Sequence, residues 1–263
     1  MLPYPHVDPV AVSLGPIKVY WYGLMYFISF ILCWRLVHYR VSTRPDLGFQ
    51  QDIVAKLILY IALGVIVGGA VGNLIFYHFL DFLRTPWRFF SLLFKGRSFH
   101  GGLVGVVLAL WLFARRFQKT FLGIADIIAP VVPIGLGLGR IGNFINGELW
   151  GRVTRVPWGM VFPKGGPYLR HPSQLYEFIL EGVLMFMILW SYSSKPRPRG
   201  AVGALFVILY GCFRFLVEFV REPDTHLSPL FGWLTRGMQL CIPMVLVGLV
   251  VMFWSYRRER GRA

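Results

Sequence analysis

The sequence predicts an all-α polytopic membrane protein: seven transmembrane helices with a small external cap, the N-terminus outside and the C-terminus inside. Three observations predict it. The 263 residues are 56% hydrophobic and 17% aromatic, with a mean hydropathy of +0.59, too apolar for a soluble domain of this length. Apolar runs of about 20 residues, enough to cross a bilayer, recur along the chain. Basic residues gather in several of the short connections between those runs, as in cytoplasmic loops.

The runs lie at about 18–38, 53–80, 100–117, 121–140, 173–192, 201–221 and 233–256. Arg40 and Arg44 follow the first, and Arg115, Arg116 and Lys119 follow the third. Lys195, Arg197 and Arg199 follow the fifth, and Arg257, Arg258, Arg260 and Arg262 close the chain. If every run crosses, these four stretches share one side, which the positive-inside rule makes cytoplasmic. The opposite connections, about 81–99, 141–172 and 222–232, mix acids, bases, Pro, Gly and aromatics and form the cap. Within the first of them, Trp87, Phe89 and Phe90 beside Arg84 and Arg88 read as an amphipathic segment lying in the interface. With no internal repeat or low-complexity tract, residues 1–263 read as a single membrane domain.

The net charge of +15 and pI near 10.2 would suggest nucleic acid in a soluble protein. Here the basic residues lie between apolar runs, so anionic lipid headgroups are the expected partner and nucleic acid is not. Cys33, Cys212 and Cys241 each sit in an apolar run, with neither a disulfide framework nor a metal spacing. The opening MLPYPHVDPV has no basic region and does not read as a cleavable signal peptide. No metal or soluble cofactor is implied.

Ionisable groups inside a membrane span are costly and therefore mark candidate sites. In YGCFRFLVEFVRE, Tyr210, Arg214, Glu218 and Arg221 share one helix face by spacing. Arg221 and Glu222 lie near the outer end, where snorkelling accounts for them. Arg214 lies about 10 Å deeper along the axis; it either pairs structurally with Glu218 or forks onto a phosphate. The string GLGLGRIGNFINGELWGR, 135–152, follows an apolar run with alternating glycines, then Arg140, Asn143, Asn146 and Glu148. Its glycines permit close approach of a helix or a ligand. Its G-x-G-x-x-G match is not a dinucleotide loop, since a spanning helix precedes it rather than a strand. In SFHGG, His100 opens a helix as a cap, as a hydrogen-bonding residue or as a proton acceptor. In RHPSQLYEFILEG, Gln174, Glu177 and Glu181 share a face, and Glu181 needs a buried partner such as one of the arginines. Tyr22 lies in an aromatic belt opening the first run. Tyr22, His100, Arg140, Asn143, Gln174 and Arg214 all fall toward the outer ends of spans, which points to one anionic-lipid site at the outer leaflet.

The segments VYWYGLMY, SFHGG, GLGLGRIGNFINGELWGR, RHPSQLYE and YGCFRFLVEFVREPD occur in this order. In them, and over nearly the whole chain, the sequence resembles the bacterial prolipoprotein diacylglyceryl transferases. The resemblance implies a multi-pass enzyme of the cell inner membrane, its active site toward the periplasmic leaflet. Such an enzyme moves the diacylglyceryl group of phosphatidylglycerol onto the lipobox cysteine at a prolipoprotein signal peptide. The product is a thioether, glycerol 1-phosphate leaves, and this is the first step of lipoprotein maturation. The resemblance makes His100 the base for the substrate thiol, with an arginine-assisted thiolate as the rival account. It makes Arg140 and Arg214 clamps for the lipid phosphate. Asn143, Glu148 and Gly151 match its signature loop, Tyr22 its first-span tyrosine, and Tyr210 and Glu218 its partners of Arg214. The attacking cysteine belongs to the substrate.

The chain departs from the family pattern in its second span, where GGAVGNLIFY carries Ala70 for an arginine and Asn73 for a tyrosine. Arg97 replaces a methionine before SFHGG, and Arg236–Gly237–Met238–Gln239 replaces a Met-Gly-Gln run, leaving Arg97 or Arg236 to compensate for the lost charge. These changes motivate the alternative of a low-activity or inactive lipid-binding paralogue of the same fold. A transporter is the third reading, disfavoured because the polar groups cluster at one face and no inverted repeat is present.

Overall fold

The computed structural model describes residues 2–5, 7–89, 91, 96, 98–222 and 233–261. Arg97 and most of the predicted cap segment 222–232 lie outside these residues. The chain is mostly helical but opens with an antiparallel hairpin, β1 (Val10–Leu14) and β2 (Ile17–Tyr20). This hairpin corrects the all-α expectation: the predicted first span begins at residue 18, but β-branched residues on either side of a Gly15–Pro16 turn pair as strands there. Helix α1 (Trp21–Thr43) follows directly.

Next come α2 (Asp52–Tyr77), the short α3 (Phe79–Arg84) and α4 (Phe99–Arg116). Then follow α5 (Phe121–Ile128), α6 (Val132–Ile145), α7 (Ser173–Tyr192), α8 (Ala201–Val217) and α9 (Arg236–Arg260). Among the described residues, α1, α2, α7 and α9 are long and apolar enough to cross a membrane, and α5 with α6 makes a fifth if counted as one broken span. The predicted unbroken run over 121–140 is thus two helices bent by 53°. Pro130 at the break has no N–H to continue the ladder, while Pro133 sits in the first turn of α6, where none is needed. The helix also outlasts its predicted end at Arg140, reaching Ile145, so Asn143 is helical rather than part of a loop.

The chain divides into two compact units, residues 37–124 and residues 1–36 with 125–263. In the first, α2 and α4 pack backbone to backbone. Gly64, Gly68 and Gly72 face Gly101 and Gly105, and a Cβ on Gly105 would stand 2.1 Å from the Gly64 carbonyl oxygen. Small residues four apart let spanning helices approach this closely. These contacts explain Gly68 and Gly72 of GGAVGNLIFY, and the departures Ala70 and Asn73 are buried on the same helix. In the segment that follows α2, Leu80, Leu83 and Trp87 are well exposed.

In the second unit, α6 meets α7 where a Cβ on Gly137 would lie 3.1 Å from Gly182 Cα. Around that contact, residues Phe178–Leu184 of α7 form a π-helical turn. Such turns insert a residue, re-aim side chains and recur at functional sites. At one end of this unit a cap folds from residues 147–172. Tyr4, Met160 and Phe162 form its apolar centre, with Phe144 and Trp150 packed against it. The Tyr4 hydroxyl donates to the Phe144 carbonyl at 2.7 Å, tying the N-terminus to the end of α6.

Candidate active site

Helices α6, α7 and α8 bring three arginines and three glutamates into one ion network, Arg140, Arg214 and Arg221 with Glu177, Glu181 and Glu218. Arg140 Nε bonds to Glu177 Oε2, and Arg140 Nη2 lies 3.6 Å from Glu181 Oε2. Arg214 Nη2 meets Glu218 Oε2 at 2.8 Å, and Arg214 Nη1 lies 3.5 Å from Glu177 Oε1. Arg221 lies 3.7 Å from Glu177 and 4.0 Å from Glu218. The carboxylates of Glu177 and Glu181 are 1% and 0% exposed, the guanidiniums 13–18%. The acids form the floor and the bases the accessible layer.

Helix geometry explains who meets whom. Arg214, Glu218 and Arg221 are four and three residues apart, one face of α8 and its continuation. Glu177 and Glu181 both reach Arg140 across the π-helical turn. The expected buried partner of Glu181 is therefore Arg140. Glu218 is held from its other side by Thr235, whose hydroxyl donates to Glu218 Oε1 at 2.9 Å and accepts from Met238 N at 3.2 Å. The carboxylate thus rests at the start of α9, where an anion is favoured. Met238 is buried in that first turn. Arg236 is exposed and bonds Gln239 at 3.0 Å.

Beside Arg140, the signature loop is held by its own amides. Asn143 and Asn146 donate to Glu148 Oε1 at 2.9 and 3.2 Å. Gln174 Nε2 donates to the Glu148 carbonyl at 2.7 Å, and Ser173 Oγ to the Leu149 carbonyl at 3.0 Å. Leu149 adopts a left-handed φ of 58°, which costs a branched residue roughly 1–2 kcal/mol. Tyr22 packs on Gly142, where a Cβ would stand 2.9 Å from its ring, and its hydroxyl lies 3.3 Å from that of Tyr26. Gly151 is required by the cap: its N–H donates to the His171 carbonyl at 2.8 Å, and a Cβ would meet the Val220 carbonyl at 2.4 Å. That contact sets the backbone leading into Arg221, which Arg152 Nε also bonds, at 3.0 Å.

One expectation needs correction. Arg221 does not snorkel: it is 15% exposed and turned inward to Glu177 and Glu218. Tyr210, expected as a partner of Arg214, packs with the apolar cluster of Ala129, Met185, Leu189 and Val202, stacks on Phe206, and stands within electrostatic reach of Arg214. Glu177 was read only as one of three polar residues on a shared face. Its signal was its register, four residues before Glu181 and opposite two arginines, but sequence alone does not say which arginines it meets.

His100 lies in the other compact unit, in the first turn of α4, and is exposed. The cap of that helix is Ser98, whose hydroxyl accepts from Gly101 N at 3.2 Å. His100 is therefore relieved of the capping role that was one of its readings. Among the described residues no group of His, Cys, Asp and Glu is arranged to hold a metal ion.

A model of the prolipoprotein diacylglyceryl transferase family matches residues 9–254. The phosphatidylglycerol–prolipoprotein diacylglyceryl transferase of Coxiella burnetii (strain RSA 331 / Henzerling II) is 54% identical over 260 residues, 98% of this chain and 99% of that protein. Those of Pseudomonas paraeruginosa (strain DSM 24068 / PA7) and Pseudomonas aeruginosa (strain LESB58) are each 54% identical over 263 residues, 100% of this chain and 98% of theirs.

Proposed function

Because the chain belongs to the prolipoprotein diacylglyceryl transferase family, we propose that the Arg140–Arg214 network is the site where it performs that family's transfer. The protein is a transferase that moves the diacylglyceryl group of phosphatidylglycerol to prolipoproteins. The observation that carries the site is the convergence of partly accessible guanidiniums over buried carboxylates at one end of α6, α7 and α8. Each guanidinium has about five donors in a planar fork that suits phosphate oxygens. Arg140 meets Glu177 through Nε and Glu181 through Nη2 and is 18% exposed.

In this reading the acceptor is the thiol of the lipobox cysteine. A thiol of ordinary pKa about 8.5 needs only modest help to ionise. His100 takes its proton, and the thiolate attacks the glyceryl carbon that bears the phosphate ester. The C–S bond forms as the C–O bond breaks, and the electron pair stays on the phosphate oxygen. Arg140 and Arg214 stabilise that developing charge, the proton passes to the departing glycerol 1-phosphate, and a thioether remains. Asn143, Asn146 and Glu148 hold the loop beside the phosphate, with Tyr22 and Gly151 as its packing supports. Residues 1–263 act as one domain of seven spans in the inner membrane, with the site toward the periplasmic leaflet. Full-length identity to named enzymes favours this reading over an inactive paralogue.

The test is a reconstituted assay with purified protein, phosphatidylglycerol vesicles and a lipobox peptide. The expected result is glycerol phosphate release with a diacylglyceryl mass gain on the peptide, lost when Ala replaces the lipobox Cys. Mass gain on the Ala peptide, or none on either, overturns the reading.

A further inference from the structure

The mechanism above uses Arg140 and Arg214 and gives Glu177 no task. Yet Glu177 touches all three guanidiniums, whereas Glu218 touches two and Glu181 one. Its oxygens divide the work. Oε2 takes Arg140, while Oε1 lies between Arg214 Nη1 at 3.5 Å and Arg221 Nε at 3.7 Å. Those two separations exceed a good hydrogen bond. Arg214 Nη1 and Arg221 Nε are buried and have no hydrogen-bond acceptor among the described residues. Two donors from different turns of one chain segment thus converge with their bonding capacity unspent. Buried donors in that condition are costly, and a buried carboxylate in a membrane helix is costly too. An added oxygen shared between the two nitrogens would satisfy both.

We propose that Glu177 is a positioning residue that gathers Arg140, Arg214 and Arg221 into a single phosphate site, with Arg221 as a third arm of the clamp. The inference rests on the reading that this network receives the phosphate of phosphatidylglycerol. Three arginines against three glutamates leave the empty network balanced. The substrate phosphodiester brings one negative charge, and the product monoester brings more once it sheds its proton. A Glu177 carboxylate between the guanidiniums orders them while opposing retention of the more highly charged product. The shared chemistry is a phosphate ester, from the lipid before reaction or from free glycerol phosphate after it.

The experiment compares wild type, Glu177→Gln, Glu177→Asp and Arg221→Gln in phosphatidylglycerol vesicles, per folded molecule. It reads kcat and KM for the lipid, the inhibition constant of free glycerol phosphate, and glycerol phosphate binding by calorimetry in the absence of turnover. Glu177→Gln keeps the volume and removes the charge. We expect kcat to fall at least about tenfold and glycerol phosphate to bind about fivefold tighter or more. Glu177→Asp should restore part of kcat. Arg221→Gln should weaken both lipid and glycerol phosphate by about tenfold. A merely structural Glu177 would lower the folded yield but leave the kinetic and binding constants of the surviving protein unchanged, which overturns the proposal. If Glu177→Gln does not fold, unchanged constants in Arg221→Gln overturn it instead. Wild type that binds glycerol phosphate but transfers nothing sinks the proposed reaction, and the calorimetry still decides the role of Glu177.

Discussion

In residues 37–124, α2 and α4 touch through bare backbone, glycine against glycine. In the other unit, α6, α7 and α8 meet through six charged side chains, three of them almost wholly buried. Both solve the problem of associating helices where lipid is as apolar as a leucine side chain. The glycine solution needs no functional explanation, since close packing is its own reward. The ionic one does, because buried charge pairs stabilise less than apolar packing of the same volume. The contrast fits the proposed chemistry: the unit that keeps an expensive network is the one to which we assign the phosphate, and the unit that packs cheaply carries His100 on an exposed first turn.

The contrast breaks first at its charged side. Arg140→Ala should lower transfer by a factor on the order of 100 or more. It should also lower thermal stability, because Glu177 and Glu181 lose a counter-ion while 1% and 0% exposed. His100→Gln should lower transfer comparably but lower the melting temperature less than Arg140→Ala does, since Ser98 and not His100 caps α4. Peptide mass gain and thermal unfolding of the same preparations check both. Equal stability loss in the two variants would erase the distinction drawn between the units.

The glycine side breaks next. Gly105→Leu places a side chain where even a Cβ stands 2.1 Å from the Gly64 carbonyl oxygen. Overpacking of this kind costs about 1–3 kcal/mol or more. Thermal unfolding should show that loss. Transfer per folded molecule should change less than with Arg140→Ala, and a larger change in transfer would mean that the spacing of α2 and α4 matters to the reaction itself.

Part of this contrast was legible in the sequence, for reasons that differ by region. Arg140, Arg214 and Glu218 stand out because a charge in an apolar run is rare, and the four-residue step from 214 to 218 fixes their pairing. The glycine packing of α2 on α4 was not legible, because the glycines of GGAVGNLIFY and SFHGG do not say which helix faces them. Glu177 as the hub was not legible, because three arginines reach it from α6 and from α8 with its continuation, and register within one helix cannot report contacts between helices. The inward turn of Arg221 was hidden for the same reason: it depends on Gly151 and Arg152 gripping the backbone beyond α8. The break at Pro130 and its 53° bend were not legible in an apolar run read as one span over 121–140, because the bend depends on what each half packs against.

A smaller effect sharpens the glycine side. Asn73 is 6% exposed, and its Nδ2 has no hydrogen-bond acceptor among the described residues. Leaving such a group unpaired costs about 1–3 kcal/mol. Asn73→Leu, which keeps the branched skeleton with apolar ends, should therefore raise the stability of the protein by up to about that amount in thermal unfolding. A loss of stability would mean that the Asn73 amide is satisfied in the membrane, and that the departure from the family's tyrosine was repaired locally.

The smallest effect lies in the cap that steadies Arg221. Trp158 Nε1 donates to the Tyr176 hydroxyl at 2.6 Å, and that hydroxyl lies 3.1 Å from His171 Nδ1. Since indole nitrogen only donates, the tyrosine oxygen accepts there and its own proton is available to a neutral His171. Burial holds the His171 imidazole below its ordinary value. A folded-state value below the unfolded one means that the unfolded chain binds the extra proton first. Stability is therefore flat above about pH 6.5, the ordinary histidine value, and falls as the pH drops from there toward the lower folded value. The cap should loosen in that window, seen as faster amide exchange at Gly151 and Arg152, whose N–H groups donate to the His171 and Val220 carbonyls. His171→Gln should flatten the dependence without abolishing transfer at pH 7.5. If exchange at Gly151 follows the intrinsic pH dependence alone in both proteins, His171 does not govern the cap, and the hold on Arg221 rests on Gly151 and Arg152 alone.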